Sequence, residues 1–179
     1  MTQPLSGAVP ALCDHTSVGV LISSAAGVLV FERAAPPVGI APVAGHIDAH
    51  GSPQQAAINE VTEEVGLTVT RLHLLHQGWR TDQCRRPTGG IVGHQWTIFA
   101  AQTSGQLHPS AREVRAPRWL HPDELQQCAQ RTAAFAARQI TAAEFAVQPG
   151  LVPVWVRFLH ELQVITMTGK DLNRIDEVI

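Results

Sequence analysis

The stretch "GHIDAHGSPQQAAINEVTEEVGL", residues 45–67, places Glu60, Glu63 and Glu64 within little more than one helical turn. Between Arg33 and Arg71 no Lys or Arg intervenes to neutralise them. The segment reads as a helix: Ser52 is a suitable N-cap, Pro53 fits the first helical position, Gln55 completes a capping-box pattern and Gly66 marks the end. At about 100° per residue, Ile58, Val61 and Val65 share one side and the three glutamates the other. Like charges three and four residues apart cost a bare helix roughly 0.2–0.5 kcal/mol per pair, and these lie toward the negative end of the helix dipole. A solvated acidic face is the ordinary explanation of such a run. The alternative is that something else in the fold lies opposite the carboxylates.

The wider pattern bears on that choice. In the register G-x5-x-x7-x-E-U-x-E-E-x-G-U, with U a bulky aliphatic residue, the segment supplies Gly45, Glu60, Val61, Glu63, Glu64, Gly66 and Leu67. This closely resembles the Nudix box, the signature of the Nudix hydrolase family. The resemblance implies an α/β fold, a Nudix-type α/β/α sandwich around a mixed β-sheet, in which the box forms a loop, helix and loop. It also implies Mg²⁺ or Mn²⁺ as cofactor, bound against a substrate diphosphate. Carried over residue by residue, Glu60 and Glu64 are the principal ligands, Glu63 an additional or water-mediated one, and the Gly45 carbonyl a backbone ligand. Hard dications with oxygen ligands would then compensate the acidic cluster.

Two positions depart from the family pattern: Gly51 stands where the family has Glu, and Asn59 where it has Arg. An Asn amide offers only neutral hydrogen bonds in place of the charge-assisted ones of Arg. The implied activity is hydrolysis of a diphosphate linkage, in a nucleoside diphosphate joined to another moiety. The alternative is a Nudix-fold module that binds diphosphates or nucleotides with little or no turnover. Isopentenyl diphosphate isomerase shares the fold, but its cysteine-bearing segment before the box has no match here.

Around the box, Arg80, Arg85 and Arg86 flank the "TDQCRRPTGG" loop and are suited to gripping a diphosphate through bidentate contacts, against a solvated hairpin tip. Glu113 sits where Nudix proteins often carry a further acid, which makes it a candidate ligand or base. His46 is a candidate substrate contact. His73, His76 and His94 fall in expected strands without metal-ligand spacing, and read as buried or edge histidines. Cys84 lies beside two arginines with no partner pattern that would make it a nucleophile.

The whole chain has 179 residues, 45% hydrophobic and 16% charged, with a net charge of -2. That balance fits a soluble globular domain, gives no global attraction to nucleic acid or anionic membrane, and is too interrupted for a membrane span. Cys13, Cys84 and Cys128 show no CxxC spacing and suggest a reducing, cytoplasmic setting. Residues 1–14 read as a loose N-terminal arm, 15–130 as the Nudix domain and 131–179 as a helical C-terminal extension. "TSVGVLIS" and "GVLVFER" read as strands, as do "LTVTRLHLLHQGWR", "GHQWTIFAAQ" and "APRWL". "AAPPVGIAPVAGH" reads as a surface loop, and Pro122 opens a helix. Trp155, Phe158, Leu159 and Leu162 form an apolar stripe that either packs on the domain or pairs with a second copy in a homodimer.

Overall fold

Strand alternation decides how the sheet is buried. Along β1 (Thr16–Ser24), Val18, Val20 and Ile22 face one core and Leu21 the other. Along β2 (Gly27–Arg33), Leu29 and Phe31 join the first core, Val28 and Val30 the second. Side chains two residues apart share a face, so strands apolar on both faces require cover on both. The computed structural model describes residues 12–84, 86–90 and 92–178 of the chain.

The remaining strands are β3 (Ile40–Ala41), β4 (Val43–His46), β5 (Thr68–Arg80), β6 (His94–Ser104) and β7 (Val114–Leu120). They form one mixed sheet in the order β3-β2-β1-β6-β5, with β4 also paired to β1 and β7 to β2. β1 runs parallel to β6, and the other pairings are antiparallel. α1 (Pro53–Glu60), continued by a π-helical turn over Val61–Val65, covers one face through Ala56, Ala57, Val61 and Val65. α2 (Pro122–Ala136), α4 (Pro153–Glu161) and α5 (Gly169–Asp176) cover the other, and α3 (Ala142–Val147) packs Phe145 on Phe135 of α2. The result is the expected α/β/α sandwich around a mixed sheet.

Two expectations are corrected, and the break that the sequence suggests near Pro149 and Gly150 in the helical tail is found. The Pro- and Gly-rich stretch 34–46 is not all loop, because Ile40, Ala41 and Val43 are buried in the short strands β3 and β4. Residues 12–14 of the expected loose arm are tied down: Cys13 is buried, and Asp14 accepts hydrogen bonds from the Thr16 hydroxyl and from the Thr16 and Asp48 amides. Residues 1–11 of that arm lie outside the described residues. The break near Pro149 and Gly150 is structural, since Ile40 N–H donates to the Gly150 carbonyl at 2.8 Å and Val152 N–H to the Ile40 carbonyl at 2.9 Å. The turn between α3 and α4 thereby extends the sheet edge beside β3.

The C-terminal stripe is consumed inside the chain. Trp155, Phe158 and Leu159 are at most 1% exposed, and Trp155 and Phe158 meet Trp96 of β6 edge-on. Gly19 makes room for them, as a Cβ there would stand 2.6 Å from the Trp155 ring. Among the described residues no helix is long and apolar enough to cross a membrane. Because Leu159 is completely buried, Leu159→Ala should cost about 2–5 kcal/mol. Urea unfolding of the full chain checks this, and a loss below about 1 kcal/mol would mean the stripe lies outside the core.

Candidate active site

The site begins with a glycine that lets a helix touch a strand. A Cβ on Gly45 would lie 1.8 Å from Glu60 Oε1 and 2.1 Å from its Cδ, so β4 and α1 can approach this closely only if residue 45 lacks a side chain. One residue earlier, Ala44 N–H donates to Glu64 Oε2 at 3.1 Å. Ser52 caps the start of α1 by accepting from Gln55 N–H, and Gly66 ends the helical segment in the left-handed region at φ 71°, its N–H bonded to the Thr62 carbonyl. Between them the helix widens into the π turn, a form that occurs mostly as single turns and often at functional sites.

That widening corrects the helical-wheel expectation. Glu64 is not on an exposed face: it is only 7% exposed, while Glu60 is half-buried and Glu63 exposed. On the packing side, Val61 and Val65 are buried as expected, but Ala56 and Ala57 take the place given to the half-buried Ile58.

Burying carboxylates together disfavours their charged forms. Burial pushes Glu60 up to about 7, helped by the charges of Glu63, Glu113 and Asp48, with Arg86 opposing. Burial and the neighbouring Glu60 raise Glu64 well above the usual carboxylate range, opposed by the Ala44 N–H and by Arg33 of β2. Glu113, just before β7, adds to both shifts, and its Oε1 accepts from Arg112 at 2.9 Å. Gly45, Glu60, Glu63, Glu64 and Glu113 all line one cleft of about 270 Å³. The lining also includes apolar residues, among them Pro36, Pro37, Val152 and Pro153. The oxygen donors suit a hard dication such as Mg²⁺ or Mn²⁺, whose charge would offset what the protein leaves unbalanced.

The arginines divide. Arg86 lines the cleft and grips Asp48 through two bonds of 2.6 and 2.8 Å, which holds the Asp48 carboxyl below its usual range. Arg80 is not among the lining residues: its guanidinium is bound by Glu161 of α4 and lies over the Phe158 ring. Arg85 lies outside the described residues. His46 lines the cleft, but its Nε2 lies 3.4 Å from the sulfurs of both Cys13 and Cys84. Burial, with the charges of Arg86 and His94, pushes His46 down to about 4, so its imidazole is neutral at pH 7.

The two departures from the box have local reasons. Asn59 receives a bond from Gln55 at 2.9 Å and pairs with His50 Nδ1 at 2.9 Å, so it braces the loop before α1. Gly51 has φ 89° and ψ -87°, a backbone shape that a side chain resists. Sequence reasoning missed Arg33 as a cleft residue, and missed the gathering of Cys13, His46, Cys84 and His94. Separations of 33 to 81 residues between the bonded members of that group leave no spacing signal.

Comparison with known proteins agrees with this architecture. The NUDIX domain family matches residues 14–143. The fold is similar to that of a MutT protein from Methanosarcina mazei Go1, with TM-score 0.57 and 14% identity over 83% of this chain and 91% of that one. It is also similar to the E. coli dihydroneopterin triphosphate pyrophosphohydrolase, at 0.52 and 23% over 72% and 93%, and to a MutT NUDIX hydrolase from Burkholderia pseudomallei, at 0.52 and 21% over 62% and 84%. No curated protein matches the sequence.

The raised Glu60 group has a consequence for stability. Between its ordinary value of 4.5 and about 7, the folded chain holds a proton there that the unfolded chain has released, so stability should fall as pH rises through this window. In buffer without divalent cation, the urea midpoint should therefore drop from pH 4.5 to pH 7 more steeply in the native chain than in Glu60→Gln. Mg²⁺ at pH 8 should restore part of the loss by binding the folded form. Equal slopes in the two proteins would show that Glu60 is not held in a charge-poor setting.

Proposed function

The chain belongs to the NUDIX domain family; from that premise we propose that it is a hydrolase acting on pyrophosphate bonds, whose cleft cleaves the diphosphate linkage of a small molecule, a nucleoside diphosphate joined to another moiety, with Mg²⁺ or Mn²⁺. The observation that supports this most is the pairing of buried Glu64 with half-buried Glu60 on the cleft wall, two acids whose ionisation the surrounding protein opposes. A dication bound there supplies neutralisation of the diphosphate charge and a more acidic water.

The chain's own groups do the rest. Glu64, fixed by the Ala44 N–H, and Glu60, fixed against Gly45, would hold the dication, with Glu63 and the Gly45 carbonyl as further ligands. Glu113, set back on the turn before β7, accepts the proton of the attacking water. Arg86, oriented by its two bonds to Asp48, contacts a phosphate oxygen as the pair opens toward substrate. The second moiety packs on the apolar residues Pro37, Val152 and Pro153. The three free cysteines fit a reducing, cytoplasmic setting.

One observation favours a second reading, a module that binds diphosphates without turning them over. Asn59, where the family has Arg, is spent on His50 and Gln55. A panel of nucleoside triphosphates, dinucleoside polyphosphates and nucleoside diphosphate conjugates, assayed for phosphate and nucleotide release with each metal, separates the two. Turnover of at least one compound is expected, and Glu113→Gln should lower kcat by about 10²–10⁴-fold. Glu64→Gln should abolish the metal-dependent turnover. Binding of panel members without release would establish the second reading, and turnover unaffected by Glu64→Gln would place the chemistry elsewhere.

A further inference from the structure

On the wall of the carboxylate cleft, which His46, Cys84 and His94 also line, four side chains from four separate segments converge: Cys13 before β1, His46 at the end of β4, Cys84 in the β5–β6 loop and His94 at the start of β6. Their sulfur and nitrogen atoms all lie within 4.8 Å of one another. We propose that these residues form a closed, four-coordinate site for Zn²⁺, separate from the oxygen-lined dication site and structural in role.

Four of the six donor–donor distances match a tetrahedron around one ion, and the other two lie within 4.8 Å. With Zn–S about 2.3 Å and Zn–N about 2.0–2.1 Å, tetrahedral angles put two sulfurs about 3.8 Å apart and a sulfur and a nitrogen about 3.5 Å apart. Here the Cys13 and Cys84 sulfurs are 3.6 Å apart, and Cys13 Sγ lies 3.4 Å from His46 Nε2 and 3.3 Å from His94 Nε2. Cys84 Sγ lies 3.4 Å from His46 Nε2.

The surroundings are those of a ligand set. His94 Nδ1 is held by the buried Asp82 carboxylate at 2.5 Å, which places the proton on Nδ1 and leaves the Nε2 lone pair facing the sulfurs. That carboxylate–histidine arrangement orients metal-bound imidazoles. Each cysteine also accepts the backbone N–H two residues on: His15 N–H to Cys13 Sγ and Arg86 N–H to Cys84 Sγ, both at 3.3 Å. Donors aimed at sulfur favour the thiolate, although in the chain alone burial outweighs the His15 N–H and pushes the Cys13 thiol up to about 11. Two thiolates and two neutral imidazoles balance Zn²⁺ to zero charge, with two thiol protons released on binding. Sulfur and imidazole strongly favour Zn²⁺ over Mg²⁺, whereas the glutamate oxygens are donors that Mg²⁺ and Mn²⁺ accept. Four protein ligands leave no open position, so the ion is a clip and not the source of the attacking water.

What it clips is the cleft's rim. Cys84 sits two residues before Arg86, which grips Asp48, and His46 follows Gly45, against which Glu60 rests. The same cluster ties the segment before β1 to the β5–β6 loop, where Cys13 N–H already donates to the Pro87 carbonyl and His15 to the carbonyls of Gly93 and Thr88.

The full chain, purified under reducing conditions and dialysed against Mg²⁺, should retain about one zinc per molecule by elemental analysis. Refolded with Co²⁺ instead, it should show the d–d and sulfur-to-cobalt bands of a tetrahedral two-thiolate site. Cys84→Ser and His94→Ala should each lose most of the zinc and lower Tm by about 5 °C or more, whereas Cys128→Ser and Glu60→Gln should keep it. Retention in Glu60→Gln separates this site from the hydrolytic one. The proposal is overturned by zinc content unchanged in Cys84→Ser, by wild-type protein that takes up neither Zn²⁺ nor Co²⁺ on refolding, or by a Cys13–Cys84 disulfide in the freshly purified chain. Should the variants fail to fold, the cobalt spectrum of the unaltered chain decides alone.

Discussion

The structure depends on one close approach, that of the acidic end of α1 to the edge of β4. The approach is available because Gly45 offers no Cβ to the Glu60 carboxylate, and it is fixed because Ala44 N–H reaches the Glu64 side chain. It carries an electrostatic cost. Glu64 is buried beside Glu60, and both are driven toward their protonated forms. A helix of this kind needs apolar anchoring on its other side to hold such groups in place, and Ala56, Ala57, Val61 and Val65 supply it against Val18, Val20, Phe31 and Phe99 of the sheet. Folding energy from that core thus maintains a cleft poised for a cation, in keeping with the general exchange of local stability for function.

How much of this could be read from the sequence follows from the range of the interactions involved. The glutamate spacing, the Ser52 cap and the Gly66 stop are all contained within one helix and its ends, and the strands β1, β2, β5, β6 and β7 declare themselves by runs of β-branched and apolar residues. β3 and β4 did not, because their burial comes from neighbours such as β2 and the 150–152 segment and not from their own Pro- and Gly-rich composition. The burial of Glu64 was hidden by the π turn, which a wheel of constant pitch cannot represent. Arg80 and Arg86 sit on the same expected loop and look equivalent in sequence. Only tertiary structure sends one to Glu161 and the other to Asp48.

The cysteine and histidine cluster shows the same limit more sharply. Spacing rules detect metal sites whose ligands come in pairs along the chain, since a tight turn presents both at once. Here each ligand arrives on a different segment, and the sheet itself is the template: β1 and β6 run parallel, so the residues entering them, Cys13 and His94, emerge at the same end. β4, antiparallel to β1, ends at that same edge and delivers His46. The β5–β6 loop then needs only to fold back to bring Cys84.

These two neighbouring donor sets also constrain each other. The carboxylates present hard oxygen atoms with an open cleft in front of them, which suits an exchangeable dication that must share its coordination with substrate. The sulfur and imidazole set offers four protein ligands, two buried and two half-buried, which would suit an ion that stays. If the cleft carried such a set in place of its carboxylates, the ion would leave no position for substrate. Placing the two donor types on either side of the Gly45–His46 peptide avoids that outcome: four soft ligands would hold Zn²⁺ on one side, and open oxygen donors suit Mg²⁺ or Mn²⁺ on the other. Adjacent residues of one strand can therefore serve two metals: the backbone and helix contacts of Gly45 belong to the reacting side, and the imidazole of His46 to the structural side.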